Sequence, residues 1–155
     1  MKPHKQKGVA AVELALIMVP MLIMCFGIVE VGRALNYYNG LVKATRGAAR
    51  YLTVQNLNDS SPATKAAAIV AAKNLAVCGT TTTCSTATQL VPGLTNPVSQ
   101  VSVTTSNNVQ VTGGVGTISL VTVTISGVVF TSFLPYSIAS FTYSPIKLTM
   151  AWSVT

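Results

Sequence analysis

Val9–Val29 reads VAAVELALIMVPMLIMCFGIV, and its one charged residue is Glu13. At 1.5 Å per residue this run spans about 31 Å as a helix, enough to cross the hydrocarbon core of a bilayer. A removable secretory signal has a shorter apolar region followed by a small-x-small cleavage site. This run is longer and no such site follows it. A lipoprotein signal is excluded because Met24, not a small residue, precedes Cys25. The stretch therefore reads as a retained transmembrane helix. MKPHKQKG, residues 1–8, is a short basic leader in front of it. Lys2, Lys5 and Lys7 crowd that end, which favours an N-terminus in the cytoplasm.

The rest of the composition agrees with a membrane-held protein. Half of the 155 residues are hydrophobic and only 8% are charged, against about 25% in an average soluble domain. The carboxylates are Glu13, Glu30 and Asp59, and the one histidine is His4. No pair of acids suits general acid/base work, and no Ser-His-Asp set forms away from the leader. Three scattered cysteines and one histidine lack zinc-site spacing. Gly113-Gly114-Val115-Gly116 lacks the Lys-Ser/Thr of a phosphate loop. The chain reads as a non-enzyme with no cofactor, no metal and no small-molecule substrate. The net charge of +7 is split across the apolar segment, and Lys147 is the only charge after residue 73. That distribution excludes a nucleic-acid surface, which gathers cations on one face with stacking aromatics.

Beyond the membrane the helix is expected to continue to about residue 57. Val31, Leu35, Tyr38, Val42, Thr45, Ala49 and Leu52 recur at three- and four-residue steps as one apolar face. Lys43, Arg46 and Arg50 fall on another side, as a solvated face. Asn39-Gly40 is a weak point at which a bend or break is expected if one occurs. Asp59-Ser60 marks a turn. Ser61-Pro62 then signals a second helix over residues 62–77, with Ser61 as cap and Pro62 at its first position.

Residues 80–155 change character. They hold 17 Thr, 11 Ser and 12 Val, a composition that favours strands. Val101–Thr104 and Val109–Thr112 alternate with period two, with Asn107-Asn108 as the expected hairpin turn between them. Ser119–Val129 and Ile146–Val154 are the stronger strands. The fold class is α+β: a long N-terminal membrane-spanning helix, a second short helix and a small antiparallel sheet of about four strands. The expected divisions are 1–8 leader, 9–29 transmembrane segment, 30–57 helix extension and 58–155 extracytoplasmic domain. Cys78 and Cys84 enclose a flexible five-residue loop. They read as a structural disulfide in an oxidising compartment or, in the plainer alternative, as two free thiols. Cys25 is a small apolar side chain.

Glu13 is the costly residue, because a carboxylate within a membrane segment carries a penalty of about 2.5–3.5 kcal/mol by insertion measurements. In one reading it is an interfacial acid reaching back to water or to Lys7. In the other, cleavage after Gly8 frees the amine of Val9, and Glu13 neutralises the amine of a neighbouring subunit as a registry element.

Lys7-Gly8-Val9-Ala10-Ala11-Val12-Glu13-Leu14-Ala15-Leu16 resembles the start of type IV prepilins and pseudopilins. With Pro20, Gly27–Arg33 (GIVEVGR) and Ala44–Arg50 (ATRGAAR), the pattern over residues 7–52 resembles the TadE-like family of Tad (Flp) pilus systems. Leu14 departs from the aromatic often found after the acid. The resemblance implies a minor pilin or pseudopilin-like protein acting in pilus initiation or assembly. It implies an inner-membrane anchor, with other pilins and the assembly platform as partners. Gly8 and Val9 would flank the cut of a prepilin peptidase, and Glu13 would be the acid used by peptidase and filament. Pro20 would be a tolerated kink. Ala11 and Ala15 would allow close helix packing. Glu30 and Arg33 would pair on the helix surface at the outer membrane boundary. The alternative from another class is a membrane-tethered binding or adhesion domain without a filament role.

Overall fold

A computed structural model describes residues 7–55, 57, 61–85, 89–110, 117–133 and 139–152. The leader before Lys7, the Asp59-Ser60 turn, Val111-Thr112, the Gly113–Gly116 run and the Ser153-Val154 end of the last strand lie outside the described residues. Helix α1 runs from Lys7 to Val54 without interruption, about 72 Å in length. Helix α2 is Pro62–Cys78. Five strands follow: β1 Val101–Gln110, β2 Thr117–Ile125, β3 Val129–Phe130, β4 Phe141–Thr142 and β5 Ile146–Trp152. β1, β2 and β5 form an antiparallel sheet in the order β1-β2-β5, and β3 pairs with β4 in a separate ribbon. The architecture is α+β, with a long apolar helix, a short helix and a small antiparallel sheet.

The two halves of α1 live in different surroundings. Its apolar N-terminal window is not buried by any other part of the protein. The upper half is the spine of the core. Leu41, Ala44, Thr45, Ala48, Ala49 and Leu52 are buried against Ala72, Ala76 and Val77 of α2 and against Val101, Val121, Val123 and Ile125 of the sheet. Alanines at five of these helix–helix positions let the two backbones come close, so a small chain gains a shared core from little side-chain volume. Thr45 is satisfied inside this core by donating to the Leu41 carbonyl at 2.8 Å.

The core stripe coincides with the face read in the sequence at Thr45, Ala49 and Leu52, which are buried, and departs from it lower on the helix. That face repeats every seven residues, and a seven-residue repeat drifts by about 20° per heptad around a straight helix. The buried stripe passes through Glu30, Ala34, Tyr37, Leu41, Thr45, Ala48 and Leu52, all buried or half-buried. Val31, Leu35 and Tyr38 are left exposed.

The break considered at Asn39-Gly40 does not occur. A Cβ at Gly40 would lie 2.7 Å from the Val91 side chain, so glycine is there to let the Val91 loop lie against the helix. Pro20 is likewise carried within the helix. At α2, Ser61 accepts from the Thr64 amide at 3.3 Å, and Gly79 closes the other end at φ +72° with its amide on the Leu75 carbonyl.

The sheet corrects one turn. Asn107-Asn108 is not a hairpin turn but lies within β1. The register passes from Ser106↔Leu120 to Val109↔Ile118, so two asparagines oppose one residue of β2. Asn108 takes φ +55°, a left-handed conformation that asparagine tolerates, and the pair forms a β-bulge. The strand read as Ser119–Val129 ends at Ile125, and Val129-Phe130 turns away to pair with Phe141-Thr142. Gln100 stabilises this departure. Its side chain accepts from the Thr95 and Asn96 amides and donates to the carbonyls of Gly93 and Gly127.

Ala48→Leu should destabilise the full chain in detergent micelles by about 1–3 kcal/mol in denaturant unfolding, because the site has no room. Gly47→Ala, one residue away with nothing near its added Cβ, should instead stabilise by about 0.5–1 kcal/mol.

Candidate functional site: the helix–domain junction

Glu30 is the last residue before α1 leaves its apolar run, and only 3% of it is exposed. A buried carboxylate needs partners, and three different donors supply them. Arg33, one turn further along α1, forms an ion pair with Oε2. The Ser132 hydroxyl donates to Oε1 at 2.9 Å, and the Phe133 amide donates to the same oxygen. The last two come from the segment after β3, about a hundred positions away in the chain. Glu30 therefore joins the foot of the β domain to the helix. The pair with Arg33 read from the sequence forms, but Glu30 is buried and not on the surface, because a tertiary segment covers it.

Aromatic rings complete the junction. The Arg33 guanidinium lies 4.1 Å from the Phe133 ring centroid, 5.3 Å from Phe130 and 5.6 Å from Tyr37, within cation–π range of each. Phe130 is fully buried and meets Tyr37 edge-on at 5.6 Å. It also contacts Phe141 at 5.3 Å and Tyr143 at 6.4 Å. The Tyr143 hydroxyl donates to the Ala34 carbonyl at 2.7 Å. Burial pushes the Tyr143 phenol above its ordinary pKa, Tyr37 adds to the shift and Arg33 opposes it, so this hydroxyl stays a donor.

The other residues singled out in the sequence are distributed along the chain. Gly8, Val9, Ala11, Glu13 and Ala15 are exposed on the first turns of α1. Among the described residues, none of them meets another element of the fold. Pro20 is on the same exposed stretch, as is the free thiol of Cys25. Cys78 and Cys84 are joined as a disulfide with Cα atoms 5.7 Å apart, fastening the end of α2 to the segment that follows. No cluster of metal-ligating side chains occurs among the described residues.

Ser132, Phe133, Phe130, Tyr37 and Tyr143 went unread in the sequence. Ser132-Phe133 has no local motif, and only the turn-away of β3 brings it to Glu30. A usable signal was present in Glu30 itself. An acid at the end of an apolar run, with one arginine a turn away, still leaves an oxygen to be satisfied.

The junction-bearing helix is also where the chain matches known proteins. Residues 8–50 match the family model described as TadE-like protein. This TadE-like segment covers the apolar run, Glu30, Arg33 and the lower core positions of α1, and stops before α2. The sheet domain lies outside the match. No curated protein and no solved structure matches the chain.

Glu30→Ala should remove the acceptor that holds the Ser132-Phe133 segment. In hydrogen–deuterium exchange on the detergent-solubilised full chain, the Phe133 amide should exchange faster than in wild type. Amides of β2, which lie in the sheet core, should be unchanged.

Proposed function

We propose that the protein is a minor pilin or pseudopilin-like assembly protein of a Tad pilus, held in the bacterial inner membrane by residues 9–29. The N-terminus is in the cytoplasm and the α2–sheet domain is outside it. The observation that carries this reading is the coincidence of two features on one segment. The TadE-like match spans residues 8–50, and the same helix exposes an apolar surface that nothing among the described residues covers.

The mechanism is mechanical. α1 is a continuous rod, so a force or displacement at the membrane end is delivered to the head without a hinge. Ala11 and Ala15 present small side chains to which a neighbouring pilin helix can approach closely. Glu13 is the registry element. If a prepilin peptidase cuts between Gly8 and Val9, the new amine and the Glu13 carboxylate of adjacent subunits neutralise each other in lipid, where an unpaired charge is costly. The disulfide between Cys78 and Cys84 suits an oxidising extracytoplasmic compartment. The sheet domain, carrying hydroxyls on its outer face at Ser102, Thr104, Thr122 and Thr149, selects the partner.

The test is mass spectrometry of the protein purified from its native membranes, reading the N-terminus and the co-purifying proteins together. The expected result is recovery with other pilus proteins, a Val9 N-terminus, and loss of that co-recovery in Glu13→Ala with membrane insertion retained. Recovery of the wild-type protein without any pilus component would contradict the assembly role and favour a tethered binding domain.

A further inference from the structure

The exposed part of the junction has a definite height. Taking Val29 as the last residue in the hydrocarbon, Val31 lies about 3 Å and Leu35 about 9 Å further along the helix axis. The polar interfacial layer of a bilayer is about 5–8 Å thick on each side. Phe133 is level with Glu30, because its amide is bonded to that carboxylate. The Phe133 ring is nevertheless 80% exposed. On another face of the same helix, Val31, Leu35 and Tyr38 face Phe141 and Tyr143 across an open groove of about 460 Å³ with an almost wholly apolar lining. Val31, Leu35 and Phe141 are also exposed.

We infer that the β domain rests on the outer leaflet, with Phe133 and the lower lip of this groove set into the lipid headgroup layer. The inference rests on the membrane-anchored reading above. Its own support is continuity: the apolar surface of α1 does not end at residue 29 but widens onto the aromatic foot of the domain at that level. Aromatic side chains are the residue type that membrane interfaces favour. The Glu30 network then has a second use. At the edge of the hydrocarbon an uncovered carboxylate repels the lipid surface, and Arg33, Ser132 and the Phe133 amide satisfy it while turning the Phe133 ring outward. Seated in this way, the head is held at two places, the span and the foot. Its tilt relative to the membrane is thereby limited.

The experiment uses the full chain in phosphatidylcholine–phosphatidylglycerol vesicles, in a Trp152→Phe background whose circular dichroism matches wild type. Single tryptophans are placed by Phe133→Trp, by Leu22→Trp within the span and by Val54→Trp about 36 Å along the helix from Glu30. Quenching is read with lipids brominated near the headgroup end or near the chain end. The expected result is several-fold stronger quenching of Phe133→Trp than of Val54→Trp, greatest with the shallow bromines, and quenching of Leu22→Trp by the deep ones. Quenching of Leu22→Trp with Phe133→Trp no different from Val54→Trp would overturn the lipid seat and leave the anchor intact. Absence of quenching at all three sites would overturn the anchor and the seat together. An unquenched Phe133→Trp whose emission shifts blue as the protein-to-lipid ratio rises would show a second copy of the chain on this face, and would also overturn the lipid seat.

Discussion

In the proposed reading one helix has to satisfy two solvents, and the exchange takes place at Glu30. From Val9 to Val29 α1 offers apolar residues and Glu13 to its surroundings, with no cover from the described residues of the head. Above Glu30 the same backbone becomes the central element of a folded core. A helix of this kind gains nothing from its own protein over its lower half, so its placement depends on lipid or on other helices. The Glu30 carboxylate, bonded to Arg33 and to the Ser132-Phe133 segment, fixes the head at the point of change. Without that attachment, the ribbon of β3 and β4 would be joined to α1 by aromatic contacts and the Tyr143 hydroxyl alone.

The core above the junction is economical in volume. Ala44, Ala48 and Ala49 of α1 and Ala72 and Ala76 of α2 are small, so the helices approach closely, while the sheet contributes valine and isoleucine from alternate positions of β1 and β2. β2 is the central strand and is paired along both edges. Its outward positions are Ile118, Leu120, Thr122 and Thr124, and the Thr122 side chain meets that of Thr149 at 2.8 Å. Such a face carries little long-range charge repulsion, which suits a domain packed among neighbours.

Much of this was legible in the sequence because its signals are local. Apolar run length gave the long helix, Ser61-Pro62 gave the start of α2, and alternation gave β2 and β5. The errors arose where local and non-local forces compete. Asn107-Asn108 carries the composition of a turn, but a bulge tolerates the same residues, and cross-strand pairing with β2 decided between the two. Gly40 looked like a weak point in a helix, whereas its missing side chain is needed by Val91, some fifty positions later. The heptad face of α1 holds at Thr45, Ala49 and Leu52 and drifts off the buried stripe lower down, at Val31, Leu35 and Tyr38. The junction was half visible. Glu30 and Arg33 could be paired by spacing, but the donors from Ser132 and Phe133 have no local signature.

The account turns on α1 spanning the membrane once and emerging at Glu30 as the spine of an extracytoplasmic head. Cysteine accessibility in native membranes tests this most directly. Single cysteines along α1 in a Cys25→Ser background are challenged with a membrane-impermeant maleimide applied from either side. The account predicts protection from 10 to 28 against reagent from either side, and labelling at Asn36, Lys43 and Arg50 only from the outer side. Free labelling within 10–28, or labelling of Lys43 and Arg50 positions from the cytoplasm, would contradict it.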